Sequence, residues 1–227
     1  MNTLINHGFI LNQTSMINFC FPTTTYYEDL HPSDEIQQGM IDYVGGLDND
    51  CGSDSNLTGD TIGEYRIYDN PIFFWLNDQV SIHCREYLRA IGVDDTEVNL
   101  YASKAWPVIV REGGHVETHA HRNSILSVVY YLQTNETGSL CFFNSHSHVK
   151  DLPLQFKNEN ETNSATAFNP PVAKRLVIFP SSLVHAVDTH YGVDSRYSVS
   201  YDIMVTQKDG SNCEHYITDP STWGKLK

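Results

Sequence analysis

The sequence predicts a mainly β fold with flanking helices: a sandwich or barrel of short strands, with two helices packed on one outer face. Three observations predict it. Helical periodicity of apolar residues is confined to the first part of the chain. From about Val98 the period becomes the alternation of strands. The segments that follow are short, rich in β-branched and aromatic residues, and separated by turn residues.

The elements are legible in order. Ser33 can cap a helix that carries Ile36, Met40 and Val44 on one face. The segment Asp48 to Asp60, DNDCGSDSNLTGD, is polar and reads as an exposed loop. A second helix has Asn70 at its cap, Pro71 in its first turn and Gly92 past its end. Ile72, Leu76, Val80, Cys84, Leu88 and Ile91 form its apolar stripe, the mark of a helix packed on a sheet. WPVIV, SILSVVYYLQ, GSLCFF, RLVIFP, LVHAV and RYSVSYDIMV are the predicted strands, and the polar stretch after Gln207 is expected to be loop or short helix covering an edge. With no internal repeat, residues 1–227 read as one domain. Residues 1–97 supply an N-terminal strand and the supporting helices, 98–206 the β core, and 207–227 a tail.

The chain has 227 residues and a formal charge of -14, from 28 acidic against 14 basic side chains. Such a chain is repelled by phosphate backbones, so nucleic acid is not an expected partner, and the overall charge favours a neutral or cationic one. A small acidic ligand gripped by one well-placed arginine stays compatible. Cys20, Cys51, Cys84, Cys141 and Cys213 are odd in number and scattered, as free thiols of a reducing compartment are. No apolar run approaches membrane-span length, and the N-terminus lacks the pattern of a signal peptide. A cytoplasmic location is therefore expected, with homodimerisation open.

The chemistry-bearing residues cluster in GGHVETHAHRNS, where His119 and His121 stand two apart. On an extended strand both would point to one face and could converge on one cation. His185, in LVIFPSSLVHAV, is a third candidate on a distant strand. Two strand-borne histidines and one remote histidine are the usual logic of a facial metal site, leaving positions open for other ligands. Spacing alone does not select them, because His115 and Glu117 share the same parity. A surface role for the whole group is also compatible with it. A zinc-finger-type site is poorly supported, since no cysteine lies near these histidines at the required spacing.

Two further residues suit an anion. Arg196, in RYSVSYDI, shares a face with Ser198, Ser200 and Asp202, and an inward arginine is costly without an acid to meet it. That acid could be a ligand carboxylate or a structural partner, Asp188, Asp194 or Asp202. Tyr131 shares parity with Ser127 and Val129 and could donate to the same carboxylate or be a core tyrosine, while Tyr130 points the other way.

These segments resemble the 2-oxoglutarate/Fe(II) oxygenase superfamily, most closely the small 2OG-Fe(II) oxygenases of bacteria and marine phages. The resemblance rests on His119-Ala120-His121, LSVVYYL, GSLCFF, IFPSSLVH and Arg196-Tyr197-Ser198, in that order, from Trp106 to Asp202. The early segment NFCFPTTTYYEDL resembles that group's opening strand, and prolyl hydroxylases are similar at greater distance. The resemblance implies a double-stranded β-helix core, jelly-roll or cupin-like, with the N-terminal helices on one sheet. It implies His119, His121 and His185 as ligands of Fe(II), in preference to His115 and Glu117. It implies Arg196 and Tyr131, with Ser198, on the distal carboxylate of 2-oxoglutarate. The expected activity is that of a dioxygenase hydroxylating a C–H bond of an amino acid, peptide or small metabolite, with O2 consumed and succinate and CO2 released. The polar stretch from Ser145 to Pro171 would serve as a lid.

The sequence departs from the pattern at His121, where the wider superfamily has Asp or Glu, at Val128, where the small group has Gly, and at Asp202, where Asn is expected. A neutral imidazole in place of a carboxylate leaves an iron site one unit more positive. The competing readings are a three-histidine, cupin-like dioxygenase that does not use 2-oxoglutarate, and a non-catalytic metal-binding barrel.

Overall fold

The computed structural model describes residues 8–12, 15–18, 22–52, 54, 56–144, 153, 155–160, 162–208 and 217–226. Its elements in chain order are strands β1 (Gly8–Asn12), β2 (Ser15–Asn18) and β3 (Tyr26–Asp29), helix α1 (Asp34–Asp50), strand β4 (Asn56–Leu57), and helices α2 (Gly59–Ile62) and α3 (Phe74–Ala90). Strands β5 (Val98–Val110), β6 (Val116–His119), β7 (Leu126–Gln133), β8 (Leu140–Phe143), β9 (Thr166–Asn169), β10 (Arg175–Pro180), β11 (His185–Val187) and β12 (Arg196–Gln207) follow. A six-stranded sheet has the order β3-β10-β7-β12-β5-β4 and a four-stranded sheet the order β6-β11-β8-β9. The strand pairs within both are antiparallel. This is the jelly-roll arrangement.

Alternation along the larger sheet divides its side chains between two cores. Val128, Tyr130 and Leu132 of β7, Leu176 and Ile178 of β10, and Val199, Tyr201 and Ile203 of β12 meet Met40 and Val44 of α1 and Leu76, Val80, Cys84 and Leu88 of α3. The intervening residues Tyr131, Val177 and Phe179 meet Leu140 and Phe142 of β8 between the sheets. One face of the large sheet therefore carries the helices, and the other faces the smaller sheet.

The helices form where their caps predict. The Ser33 side chain accepts the Ile36 amide, and Met40 and Val44 are fully buried. Asn70 caps differently from the expectation: its side chain accepts the Ile72 amide of a 3-10 turn, Pro71–Phe73, and α3 proper begins only at Phe74. Ile72 and Ile91 consequently lie outside the buried stripe, 39% and 45% exposed. Gly92 ends the helix in the left-handed region, φ 87°, and the Val93 amide closes the turn on the Leu88 carbonyl.

Two polar stretches are more ordered than their composition predicts. In the Asp48–Asp60 segment, α1 runs on to Asp50, Asn56–Leu57 adds an edge strand to β5, and α2 follows. Arg111 organises it, donating from Nε to Asp48 Oδ1 (2.7 Å) and from Nη1 to the carbonyls of Gly52 (2.5 Å) and Asp54 (2.8 Å). A partner this distant in sequence leaves no local signature. Within the predicted lid, Thr166–Asn169 forms β9, the edge strand of the small sheet. Much of the rest of that lid, including 145–152, lies outside the described residues, as do His146, His148, Cys20 and Cys213. Cys51, Cys84 and Cys141 are free thiols. Among the described residues, no helix is long and apolar enough to cross a membrane. The 217–226 stretch contains a 3-10 turn at Pro220–Thr222, and Asp219 accepts from Asn99 and Tyr101 of β5.

Candidate metal centre

A cavity of about 580 Å³ opens between the two sheets. The side chains of His119, His121 and His185 converge on it, with one potential ligand atom from each within 4.8 Å of the others. Their positioning differs from the simple strand expectation. β6 ends at His119, which pairs in register with His185 of β11, so these two imidazoles are cross-strand neighbours with ring centroids 4.3 Å apart. His121 lies beyond the strand, where its amide donates to the Ser181 carbonyl. Its ring still comes within 5.1 Å of His119 and 5.2 Å of His185. Glu117 and His115 pair with each other at 3.1 Å, with side chains 89% and 53% exposed, and are not part of the cluster.

Each imidazole Nδ1 faces an atom that can only accept: the Glu117 carbonyl for His119 (2.7 Å), Asp202 Oδ1 for His121 (2.5 Å) and the Leu183 carbonyl for His185 (2.8 Å). A proton on each Nδ1 satisfies all three contacts and leaves each Nε2 with a free lone pair. Burial holds the His185 pKa down to about 4 and lowers that of His119, against the upward pull of the carbonyls they bond. These rings are neutral at neutral pH. Phe179 packs edge-on against His185 (4.8 Å), and Trp106 stacks on His121 (5.7 Å).

The lowered pKa has a consequence for the metal-free protein. His185 has a folded pKa below its unfolded one, so the unfolded state takes up the proton first. Stability should be unaffected above about pH 6.5 and should fall as pH drops toward about 4. The loss should reach a few kcal/mol, on the order of 1.4 kcal/mol per pH unit. Urea midpoints across that range check it, and a His185→Asn variant should show a shallower slope.

The sequence offers Asp202 as a possible partner of Arg196 and as a departure from an expected Asn. In the fold it is 3% exposed, holds the His121 Nδ1–H, and accepts from Ser124 Oγ at 3.1 Å. Ser181 sits behind, bonded to Ser124 (2.7 Å) and Ser127 (2.9 Å). The available signal was Asp202's inward parity on β12: a buried carboxylate requires a donor.

Arg196 also lines the cavity, and Arg196 and Tyr131, which packs beside it, are 1% and 0% exposed. The guanidinium carbon lies 4.9 Å from the Tyr131 ring centroid. Arg196 Nε and Nη1 and Tyr131 Oη are buried without a hydrogen-bond partner of good geometry; the guanidinium makes only a loose contact with the phenol oxygen. Among the described residues Arg196 makes no ion pair: Asp202 is engaged by His121, and neither Asp188 nor Asp194 takes its place. Burial raises the Tyr131 pKa while the Arg196 charge opposes the rise, so the phenol keeps its proton. Ser198 is buried beside them, opposite Tyr131 in the β12–β7 register.

The wall near His121 depends on Gly59. A Cβ there would lie 3.0 Å from Trp106 Cβ and Tyr65 Cε1, and 3.1 Å from Trp106 Cγ. Gly59→Ala should destabilise the fold by about 1–3 kcal/mol, as overpacking does. A lowered urea midpoint is the check.

Residues 104–202, most of the strand-rich core, are similar to the family described as "Putative 2OG-Fe(II) oxygenase". No curated protein sequence matches the chain. Among solved structures, the α-ketoglutarate-dependent epimerase SnoN from nogalamycin biosynthesis superposes with a TM-score of 0.55 at 13% identity, covering 90% of this chain and 88% of that one. HygX from Streptomyces hygroscopicus, solved with nickel and 2-oxoglutarate bound, gives 0.52 at 11% identity, covering 80% and 83%. A 2OG-Fe(II) oxygenase family oxidoreductase from Burkholderia pseudomallei gives 0.41 at 12% identity over 53% of this chain; the match spans half, 50%, of that protein's length. At these identities the likeness is one of fold.

Proposed function

We propose that this protein is an Fe(II)- and 2-oxoglutarate-dependent dioxygenase that hydroxylates a C–H bond of a small molecule or peptide, releasing succinate and CO2. The observation that carries the reading is the pairing of two unmet needs in one cavity. One potential ligand atom from each of three histidines converges in it, and buried donor atoms of Arg196, which also lines it, and of Tyr131 beside Arg196 lack a well-placed acceptor. A metal ion suits the first, and a carboxylate suits the second. A cosubstrate with an acid group remote from its chelating end meets both.

His119, His121 and His185 would hold the metal through Nε2, and Arg196 with Tyr131 would hold the far carboxylate of 2-oxoglutarate, Ser198 lying beside it. Bound iron with its cosubstrate would supply the activation of O2. The chain's own residues position and exclude. The Glu117, Asp202 and Leu183 oxygens fix the imidazoles in the ligating tautomer. Phe179, Leu140 and Val187 give the cavity an apolar lining. The unmet Arg196 favours this reading over a three-histidine dioxygenase that works without 2-oxoglutarate, because such an enzyme has no use for a buried, unpaired cation.

Anaerobic titration of the full chain with Fe(II), with and without 2-oxoglutarate, tests the proposal. A visible charge-transfer band should appear only when both are present. Folded, iron-loaded protein that shows no band on adding 2-oxoglutarate would sink it. Product analysis then separates hydroxylation from other oxidative outcomes.

A further inference from the structure

The local charge of the cavity has the opposite sign from that of the chain. Overall, 28 acidic residues face 14 basic ones. The cavity is lined by three cations, Lys104, Arg122 and Arg196, and by two acids, Glu117 and Asp202. Each acid faces an imidazole, Asp202 that of His121 at 2.5 Å and Glu117 that of His115 at 3.1 Å, and the three cations outnumber the two acids. Arg196 is buried. Lys104 and Arg122 are exposed, and Arg122 directly follows His121. Among the described residues neither has a carboxylate in ion-pair contact. Lys104 stands opposite Asp202 in the β12–β5 register yet forms no ion pair with it; its ammonium lies 6.0 Å from the Tyr65 ring centroid instead.

Trp106 lies two residues beyond Lys104 on β5 and lines the same cavity, stacked on His121. An aromatic wall could in principle hold a cationic substrate by its ring faces. Here Lys104 already occupies the Tyr65 side, and Arg122 adds a second positive charge, so a cation is repelled from the cavity. An anion is drawn to it, and the low-dielectric walls of a cavity focus that local field in spite of the acidic surface outside.

Resting on the dioxygenase reading, we propose that the substrate is a small organic anion, its carboxylate or phosphate group met by Lys104 and Arg122 and its body laid against Trp106 and toward the histidine cluster. The whole-chain charge argues for neutral or cationic partners. The two exposed cations that line the cavity argue for an anion within it.

The test uses the full chain loaded with Zn(II) and 2-oxoglutarate, so that no turnover occurs. The probes are a panel of small aryl and alkyl carboxylates and phosphates, each matched with its neutral amide or ester and its amine, titrated by ligand-observed NMR. Carboxylates or phosphates should bind at least about tenfold tighter than their neutral and cationic partners. The preference should shrink as salt is added. Which acid group prevails identifies its source. A Lys104→Gln/Arg122→Gln variant should lose the preference, and Lys104→Glu/Arg122→Glu should turn it toward the amines. Arg122→Gln alone serves if a double variant misfolds, and should lower the preference. Amides or amines binding as tightly as acids, no acid binding at all, or a preference that survives these substitutions would overturn the inference. The Fe(II)–2-oxoglutarate band of the wild type separates the two hypotheses. A band with no acid preference removes only the substrate class, whereas a missing band removes the dioxygenase reading.

Discussion

Arg196→Met should stabilise the metal-free protein and abolish its grip on 2-oxoglutarate, two effects of opposite sign from one substitution. In the free protein Arg196 is 1% exposed, and its Nε and Nη1 have no well-placed partner. A buried charge with unmade hydrogen bonds costs stability, and replacing it with an apolar side chain of similar length removes that cost. The expected gain is about 1–3 kcal/mol, read as a higher urea midpoint. The same substitution leaves a bound carboxylate without its charge-assisted partner and should weaken 2-oxoglutarate binding by about a hundredfold or more, read by calorimetry with an inert metal. Tyr131→Phe removes one neutral donor and should weaken binding less. An Arg196 that merely knits the fold together predicts the reverse for stability: the variant would be less stable than the wild type.

That sign reversal also explains what could be read in advance and what could not. β-strand parity is a local property, so RYSVSYDI places Arg196, Ser198, Ser200 and Asp202 on one face, and SVVYYLQ separates Tyr131 from Tyr130, before any fold is known. The structure lines the cavity with the first four and buries the two tyrosines in different cores. Helix caps are local too, which is why Ser33 and Gly92 are found where composition puts them, although the 3-10 turn after Asn70 and the short helix α2 escaped. The contacts that escaped are long in sequence. Arg111 orders a polar segment about sixty residues earlier, and Asp202 reaches back to His121 across 81 residues. No window of sequence contains both partners of such a pair.

The candidate metal ligands fall between these cases. Parity allowed His115, Glu117, His119 and His121 equally, and regular strand geometry would have kept all four together. β6 ends at His119, so the chain leaves the strand there and His121 reaches the cluster from the following turn. The end of the strand, which alternation does not report, sets His121 outside β6, while Glu117 within it pairs with His115 and stays out of the cluster.

His121→Ala should lower Fe(II) affinity by about a thousandfold or more, the loss expected when one of three protein ligands goes. The more informative variant is Asp202→Asn. His121 occupies the position where a carboxylate ligand would bring negative charge directly to the metal. Here the carboxylate stands one bond further out, on the far nitrogen of the imidazole, at 2.5 Å. In that place it favours the Nδ1–H tautomer and would raise the basicity of Nε2 toward a metal held there. Asparagine keeps the shape and can still accept the Nδ1 proton, but it removes the charge. Asp202→Asn should therefore weaken Fe(II) binding by about ten- to a hundredfold while leaving the urea midpoint of the metal-free protein nearly unchanged. In the His121→Ala background it should have little further effect on metal affinity, because the ring that would transmit the charge is gone. Additive losses in the double variant would mean that Asp202 acts on the metal by some route other than His121. An unchanged affinity in His121→Ala alone would remove His121 from the ligand set.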